Sequence, residues 1–268
     1  MTRRRSLQNL LIGALAVLFT GARFIPGHAT PGPVMARAIS LVTGTRSPGD
    51  SARVARLLAT ETATALDSLA DAVRRLSDPQ ALGDAFRSYF AFRQAHPDEV
   101  KKPYLYFVDY GLPSTIPRGY VFDMDALEVV DGPFAVAHGR GSSSSRYGVP
   151  TRFSNAPGSE ATSLGLYLAQ ETYRFHGRSN GHPYRSIGLR LEGVSGDYND
   201  NARERRVVAH GAPYVSATRA GRSEGCPAME LSRASRLLPK LADGGMVFLF
   251  APDSDWIAGD PWLDAGAG

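Results

Sequence analysis

The chain has 268 residues, of which 43% are hydrophobic and 21% are charged, so it is long enough to bury a core and is not a disordered tail. Its 30 basic and 26 acidic residues give a formal charge of +4, which alone would suit a binder of nucleic acid or of a membrane surface. The single cysteine, Cys226, excludes an internal disulfide framework and a cysteine-based metal cluster. This thiol is therefore either an inert core residue or a reactive one.

Residues 1–29 have the pattern of an export signal peptide. A basic start precedes an apolar run over residues 10–19, and small residues follow at possible cleavage sites after Ala22 or Ala29. The same residues also fit an uncleaved anchor, and the pair Arg4-Arg5 leaves the twin-arginine and general secretion routes open. The pattern predicts an exported protein of the periplasm or cell envelope.

This export segment also accounts for the net charge of the chain. It contains four arginines and no acidic residue, which leaves 26 basic and 26 acidic residues in the remainder. A formal charge of zero removes the electrostatic argument for a nucleic-acid partner. No aromatic-plus-basic RNA-binding motif is present either, so we expect no nucleic-acid binding.

A helical segment over residues 30–102 is predicted to precede the β-rich part of the chain. Apolar residues at three- and four-residue spacings run from Ser51 to Gln94, which is the period of an amphipathic helix. Asp78-Pro79 divides this run into two helices, because proline restricts the residue before it and starts helices well. The residues do not show whether these helices cover the sheet, shape a cleft or bind a partner.

From residue 103 to 252 the sequence consists mainly of short β-rich runs separated by turn residues. One late helix is predicted at Leu231–Leu241, and residues 253–268 are predicted to be a C-terminal tail. The predicted strands are Tyr104–Val108, Gly119–Phe122, Leu127–Val130, Phe134–His138, Ser163–Tyr167, Ser186–Leu191, Val207–His210 and Met246–Phe250. The pattern favours a mainly β fold with helices, of the α+β class.

One stretch combines a histidine with the only thiol in a setting that suits a nucleophile. A β-rich run ends at His210-Gly211, and Cys226 follows sixteen residues after the histidine, in a turn between Gly225 and Pro227. Glycine lets backbone N–H groups approach a carbonyl oxygen, and a nearby imidazole can take the thiol proton to give a thiolate–imidazolium pair. Spacing alone leaves the alternative open, because a lone cysteine is more often a small buried hydrophobe.

This stretch resembles the L,D-transpeptidase catalytic domain family, in its YkuD-like murein L,D-transpeptidase branch. The likeness extends over residues 103–252. The motifs that carry it are His138-Gly139-Arg140-Gly141-Ser142, Phe153-Ser154-Asn155, Asn199-Asp200-Asn201-Ala202, His210-Gly211-Ala212 and Ser223-Glu224-Gly225-Cys226-Pro227. The resemblance implies a β-sandwich catalytic domain that the helical segment precedes.

The resemblance also implies the catalytic roles. Cys226 would be the nucleophile, His210 the base, and the carbonyl of Gly211 the group that orients the imidazole. The backbone N–H groups of Gly225 and Cys226 would bind the oxyanion. Glu224 stands where a histidine is common in the family, which predicts different substrate contacts beside the nucleophile and motivates an alternative, a non-catalytic protein that binds peptidoglycan.

An exported thiol acyltransferase of this family is implied to act on peptidoglycan stem peptides that contain diaminopimelate. Attack at the L-centre of diaminopimelate would lead to a 3→3 cross-link, and attack at the L-Ala–D-Glu bond to a 1→3 cross-link. Water as acceptor would instead make the protein a carboxypeptidase or endopeptidase. A β-lactam of the carbapenem type would acylate Cys226, and activity should rise with pH through the coupled titration of Cys226 and His210.

Several polar and aromatic side chains are candidates for substrate contact. Guanidinium groups suit carboxylates because they offer two parallel donors, although solvated surface charge is the alternative for any single arginine. The candidates are Arg222, Ser223, Tyr214, His138 and Arg203, with Arg140 and Arg206 as further arginines. We expect no cofactor and no metal, because the histidine spacings match no usual ligand motif.

Overall fold

The computed structural model describes residues 48–263, so the predicted export segment lies outside the described residues. The helical segment contains two helices, α1 at Pro48–Leu69 and α2 at Ala81–Ala95, with a short 3-10 turn at Ala70–Ala72 after α1. The two helices pack against each other. Within residues 48–263, no helix is both long enough and apolar enough to cross a membrane.

The rest of the described chain is sheet-rich, which confirms the predicted α+β class. Helix α3 occupies Leu231–Leu241, the range expected from the sequence, and a short helix α4 occupies Ser254–Gly259. The strands are β1 Tyr104–Asp109, β2 Gly119–Asp123, β3 Glu128–Phe134, β4 His138–Gly139, β5 Gly165–Ser179, β6 His182–Gly193, β7 Val208–Gly211, β8 Val215–Ser216, β9 Arg219–Ala220, β10 Arg222–Ser223, β11 Ala228–Met229 and β12 Met246–Phe250. Eight strands form one mixed sheet in the order β11-β7-β6-β5-β12-β1-β2-β3, and β4–β10 and β8–β9 form two short ribbons.

Strands β1 and β12 are parallel neighbours at the centre of the large sheet. All five residues of β12 are buried, and so are five of the six residues of β1. A strand that is buried on both faces has a continuous apolar sequence instead of an alternating one. Helix α2 packs against this central pair, and α3 packs against β6 and β7. The core therefore lies between the helices and the middle of the sheet.

Strands β5 and β6 form a long hairpin that the sequence analysis underestimated. The segment around Asn180-Gly181 was expected to be a loop, but the strands continue to Ser179 and resume at His182. Asn180 and Gly181 have φ angles of 49° and 80°, as a two-residue hairpin turn requires. Half-buried and exposed residues alternate along 173–179, but the half-buried positions end in Gly177 and Ser179, so the apolar signal by which a strand is recognised fades toward the turn.

The described part of the predicted C-terminal tail belongs to the core. Asp253 accepts a hydrogen bond from the N–H of Trp256 at 3.1 Å, and α4 begins there. Trp256 and Trp262 are both buried, and the ring of Trp262 meets the edge of Phe92 in α2 at a centroid distance of 5.0 Å. Trp256 thus packs this segment against Phe248 and Phe250 of β12, and Trp262 packs it against α2.

A buried arginine joins the strand ends near β4. Arg118 is fully buried and donates to the carbonyl of Val136 through Nε at 3.1 Å and Nη2 at 2.8 Å. Its Nη2 also lies 3.0 Å from Nδ1 of His138, and its Nη1 donates to the carbonyl of Leu112. Burial lowers the pKa of Arg118 to about 10, so the guanidinium remains charged at neutral pH. The buried guanidinium of Arg118 is therefore surrounded by neutral oxygen and nitrogen atoms, and its hydrogen bonds hold the loop that leads into β4.

Candidate active site

The pairing of two short strands brings His210 and Cys226 to one place. Strands β7 and β11 are parallel neighbours, with His210 opposite Ala228 in the register. The N–H of His210 donates to the carbonyl of Pro227 at 3.3 Å, which joins the histidine to the residue after the cysteine. Both His210 and Cys226 line one cavity of about 390 Å³. Backbone hydrogen bonds therefore fix the thiol and the imidazole on the same wall.

The turn that presents Cys226 has its own internal hydrogen bonds. Ser223 donates through Oγ to the carbonyl of Cys226 at 2.7 Å and accepts from the N–H of Gly225 at 3.2 Å. Gly225 has φ +118°, and a Cβ atom there would lie only 2.9 Å from the carbonyl oxygen of Ala161. The turn therefore requires glycine at this position.

These bonds correct one expectation about the turn, and a second one, substrate contact by Ser223, stays a prediction. The N–H of Gly225 already has an acceptor, so it is not free to bind an oxyanion. Ser223 contributes its hydroxyl group to the turn, although the residue also lines the cavity. Within residues 48–263, the N–H of Cys226 donates to no acceptor. The N–H of Cys226 is therefore a backbone donor that remains unpaired in this turn.

The imidazole of His210 is held in one orientation and is nearly fully buried. Its Nδ1 lies 3.1 Å from the carbonyl of Gly211, which also accepts from Oγ of Ser186 at 2.9 Å. Because a carbonyl only accepts, Nδ1 carries the hydrogen and Nε2 has the free lone pair. Burial between Phe175 and Tyr214, at centroid distances of 5.7 and 6.4 Å, lowers the pKa of His210. The resting imidazole is therefore neutral and basic at Nε2.

The thiol of Cys226 is also neutral at rest. Burial raises the pKa of Cys226, and this effect exceeds the opposing effects of a hydrogen bond from the Val208 N–H and of the Arg205 charge. Its Sγ lies 4.0 Å from the carbonyl of Arg206. The sequence predicted a thiolate–imidazolium pair, but both pKa shifts favour the uncharged thiol and imidazole. The proton would move only during attack on a substrate.

In the part of the chain that the structure describes, no group of three or more His, Cys, Asp or Glu side chains is arranged to hold a metal ion. The cavity is open on one side, and its lining is mainly polar and basic.

Comparison with known proteins identifies the family of this domain. A family model described as L,D-transpeptidase catalytic domain matches residues 74–250, which is more than half of the chain. The chain belongs to this family. No curated protein matches the sequence.

Solved L,D-transpeptidases are similar to this chain at low sequence identity. The protein from Mycobacterium smegmatis is 13% identical with a TM-score of 0.35, over 56% of this chain and 59% of that one. An L,D-transpeptidase in complex with imipenem is 14% identical with a TM-score of 0.35, over 55% and 59% of the two chains. The protein from Stackebrandtia nassauensis is 15% identical with a TM-score of 0.34, over 71% and 89%. This chain therefore spans less than two thirds of the first two proteins.

Two predicted substrate residues of the L,D-transpeptidase domain line the cavity beside Cys226. Tyr214 lies at the edge of His210, and Arg222 donates through Nη1 to the carbonyl of Ser143 at 3.0 Å. Both side chains therefore share the cavity with Cys226 and His210, and their contact with a substrate stays a prediction.

Two other predicted substrate residues are elsewhere, which corrects the expectation for each. His138 is fully buried behind the site, and burial together with the nearby Arg118 lowers its pKa to about 3. Arg203 lies 3.8 Å from Glu192 and lines a separate cavity of about 290 Å³ together with Arg206. Their motifs matched the family, but the order of motifs along the chain does not show which residues are buried or which cavity they line.

Arg205 is a site residue that the sequence analysis missed. Its Nη2 donates to the carbonyl of Ala161 at 2.6 Å and to Oγ of Ser159 at 3.3 Å, while Nη1 donates to Oγ of Ser163 at 3.1 Å. Its charge also lowers the pKa of Cys226. Arg205 stands in the run Arg203-Glu204-Arg205-Arg206, and no property of that run distinguishes the residue that faces the thiol.

We expect Arg205→Met to raise the pKa of Cys226 further, because it removes the positive charge that opposes the effect of burial. Cys226 is the only thiol, so the pH dependence of its alkylation by iodoacetamide reports this pKa directly. The midpoint should move to higher pH in Arg205→Met and by less in Arg205→Lys. The matched control is Arg203→Met, which changes the same charge in the separate cavity. A midpoint that does not move relative to this control would contradict the role of Arg205.

Proposed function

We propose that this domain is a cysteine-dependent L,D-transpeptidase that cross-links peptidoglycan stem peptides through a thioester on Cys226. The observation that carries the proposal is the orientation of His210. Its Nδ1 donates to the carbonyl of Gly211, so Nε2 has the free lone pair. His210 and Cys226 line the same cavity. This arrangement supplies a base, a nucleophile and an oxyanion donor at one point.

The acylation step follows from these groups. Nε2 of His210 takes the thiol proton while Sγ of Cys226 attacks the carbonyl carbon of a bond from an L-centre to a D-residue. The N–H of Cys226 donates to the oxyanion of the tetrahedral intermediate. When the C–N bond breaks, the imidazolium returns the proton to the leaving amine, and the thioester remains.

The second step resolves the thioester. The side-chain amine of a second diaminopimelate attacks the thioester carbonyl, His210 accepts a proton from this amine, and the thiol of Cys226 is released and regains a proton. Diaminopimelate as donor gives a 3→3 cross-link, and L-Ala as donor gives a 1→3 cross-link. Water in place of the amine gives hydrolysis, the activity of a carboxypeptidase or endopeptidase. Products from defined tetrapeptide and pentapeptide stems distinguish these reactions by mass.

Purified protein incubated with disaccharide-tetrapeptide should form cross-linked dimers that mass spectrometry detects. We expect Cys226→Ala and His210→Gln each to reduce the dimer yield by at least about 10³-fold, because each removes one member of a unit that acts together. Arg203→Gln, in the separate cavity, should retain the yield of the unchanged protein.

A Cys226→Ala protein that still forms dimers would overturn the proposal. A protein that binds sacculi but shows neither dimers nor a carbapenem adduct on Cys226 would instead support the alternative, a non-catalytic peptidoglycan-binding protein. The intact mass after exposure to a carbapenem shows whether the single thiol is acylated.

The neutral resting pair predicts a specific pH profile for acylation of Cys226 by a carbapenem. The active form has a neutral imidazole, and burial lowers the pKa of His210, so the rate should rise with pH along a limb centred below about 6.5. The rate should then stay level through neutral pH, because the raised pKa of Cys226 keeps the thiol protonated there. A midpoint above 6.5, or a rate that follows thiolate formation into alkaline pH, would contradict the neutral pair.

We also propose that the protein is exported to the cell envelope, where its substrate is. The pattern of residues 1–29 supports this location. A maleimide that cannot cross the cytoplasmic membrane should label the single thiol in intact cells of an outer-membrane-permeable strain. Deleting residues 2–29 should abolish this labelling while leaving the thiol reactive in lysates, and labelling that persists in intact cells would contradict export by this segment.

A further inference from the structure

The cavity beside Cys226 has more positive charge than its own carboxylates balance. Four arginines line it, namely Arg140, Arg146, Arg178 and Arg222, whereas Glu224 is the only acidic residue in the lining. This excess is local, because the chain after residue 29 has equal numbers of basic and acidic residues.

One of these arginines already has acidic partners. Arg140 makes a two-pronged contact with Glu160 and lies 3.6 Å from Glu224. Its contribution to the charge of the cavity is therefore largely compensated within the protein. The excess comes from the other three arginines.

These three arginines are placed by neutral groups. Within residues 48–263, none of them has a carboxylate oxygen within 4 Å. Arg222 donates to the carbonyl of Ser143 at 3.0 Å, and Arg178 donates to the carbonyl of Gly181 at 3.3 Å. Arg146 lies over the ring of Tyr147 at 5.8 Å. Neutral groups therefore hold each of these side chains in place, and no carboxylate of the described residues balances its charge.

The three arginines come from separate parts of the chain. Arg178 is at the tip of the β5–β6 hairpin, Arg146 is in the loop after β4, and Arg222 is in β10 just before the nucleophile turn. All three reach one open cavity that also contains Cys226 and His210. Three guanidinium groups in the cavity that contains the thiol suit a ligand that has several carboxylates in fixed relation to its scissile bond.

We propose that Arg146, Arg178 and Arg222 form a subsite that selects stem peptides with free carboxylates over stem peptides whose carboxylates are amidated. The inference rests on the proposed function and names the substrate class of the same site. A tetrapeptide stem has free carboxylates on D-Glu, on diaminopimelate and on the terminal D-Ala. These groups flank both bonds that are candidates for attack, so they can meet the arginines while the scissile carbonyl lies at the thiol.

The test compares two substrates, a free-acid disaccharide-tetrapeptide and the same compound amidated on D-Glu and diaminopimelate. The unchanged full-length protein should have the lower KM for the free acid. We expect Arg146→Gln, Arg178→Gln and Arg222→Gln each to raise that KM about fivefold at unchanged kcat, because exposed charge pairs have contributions of this size. The KM for the amidated compound should change much less, and the triple variant should lose the preference.

Two controls separate a charge effect from a structural effect. Arg174→Gln removes one charge from the same hairpin at a position that lines a different cavity, so it should leave both KM values unchanged. Arg222→Lys keeps the charge and should recover part of the preference. Raising the salt concentration should raise the KM of the free acid and not that of the amidated compound. Equal losses on both substrates, or losses no larger than in Arg174→Gln, would overturn the proposal.

A binding measurement makes the inference independent of turnover. Calorimetry with Cys226→Ala and the two tetrapeptides should show tighter binding of the free acid, and adding the three glutamine substitutions should abolish the difference. If the unchanged protein forms no product but this difference is found, the proposed function fails and the subsite stands. If product forms and both compounds bind equally well, the subsite fails and the proposed function stands.

Discussion

The candidate site depends on the parallel pairing of β7 with β11. The hydrogen bond from His210 N–H to the Pro227 carbonyl joins the base to the chain directly after the nucleophile. Strand β11 is only two residues long, so the turn before it must be stiff by itself to hold Cys226 in place. Ser223 stiffens this turn with two hydrogen bonds, and Gly225 allows the turn to approach the carbonyl of Ala161 closely. Backbone hydrogen bonds thus determine where His210 and Cys226 lie, and the surrounding side chains shift the pKa values of the two groups.

Those electrostatics favour a pair that is uncharged until a substrate arrives. Burial acts in opposite directions on the two groups, lowering the pKa of His210 and raising that of Cys226. Arg205 and the Val208 N–H oppose the effect on the thiol without reversing it. If the pair were charged at rest, the thiolate of Cys226 and the imidazolium of His210 would both lose their hydration on burial. If the proton moves only during attack, the imidazolium forms together with the oxyanion of the intermediate. A neutral pair also keeps the population of reactive thiolate low until a substrate binds.

The sequence predicted those features that local pattern determines. Helix α3 was expected at Leu231–Leu241 and lies there, and the apolar runs of β1 and β12 were recognised because burial on both faces leaves a continuous signal. His210 and Cys226 stood out as an isolated histidine and the only thiol. The distal hairpin was missed because the half-buried positions of β5 end in Gly177 and Ser179, which weakens the apolar alternation toward the turn. The hydrogen bonds of Arg205 and the burial of His138 depend on segments that meet across the fold, which no spacing in the chain encodes. The Gly225 N–H is bonded within its own turn to Ser223, and the conformation of that turn is not visible in the sequence.

Glu224 connects the nucleophile turn to the charge of the cavity. The residue stands where the family commonly has histidine, and its negative charge raises the pKa of Cys226. Arg140 offsets part of this effect by lying between Glu224 and Glu160. A substrate with several carboxylates would add negative charge beside the thiol and would make its deprotonation harder still. If Arg146, Arg178 and Arg222 bind those carboxylates as proposed, they would remove this penalty as the substrate docks. The side chains that recognise an anionic stem would then also permit Cys226 to react in its presence.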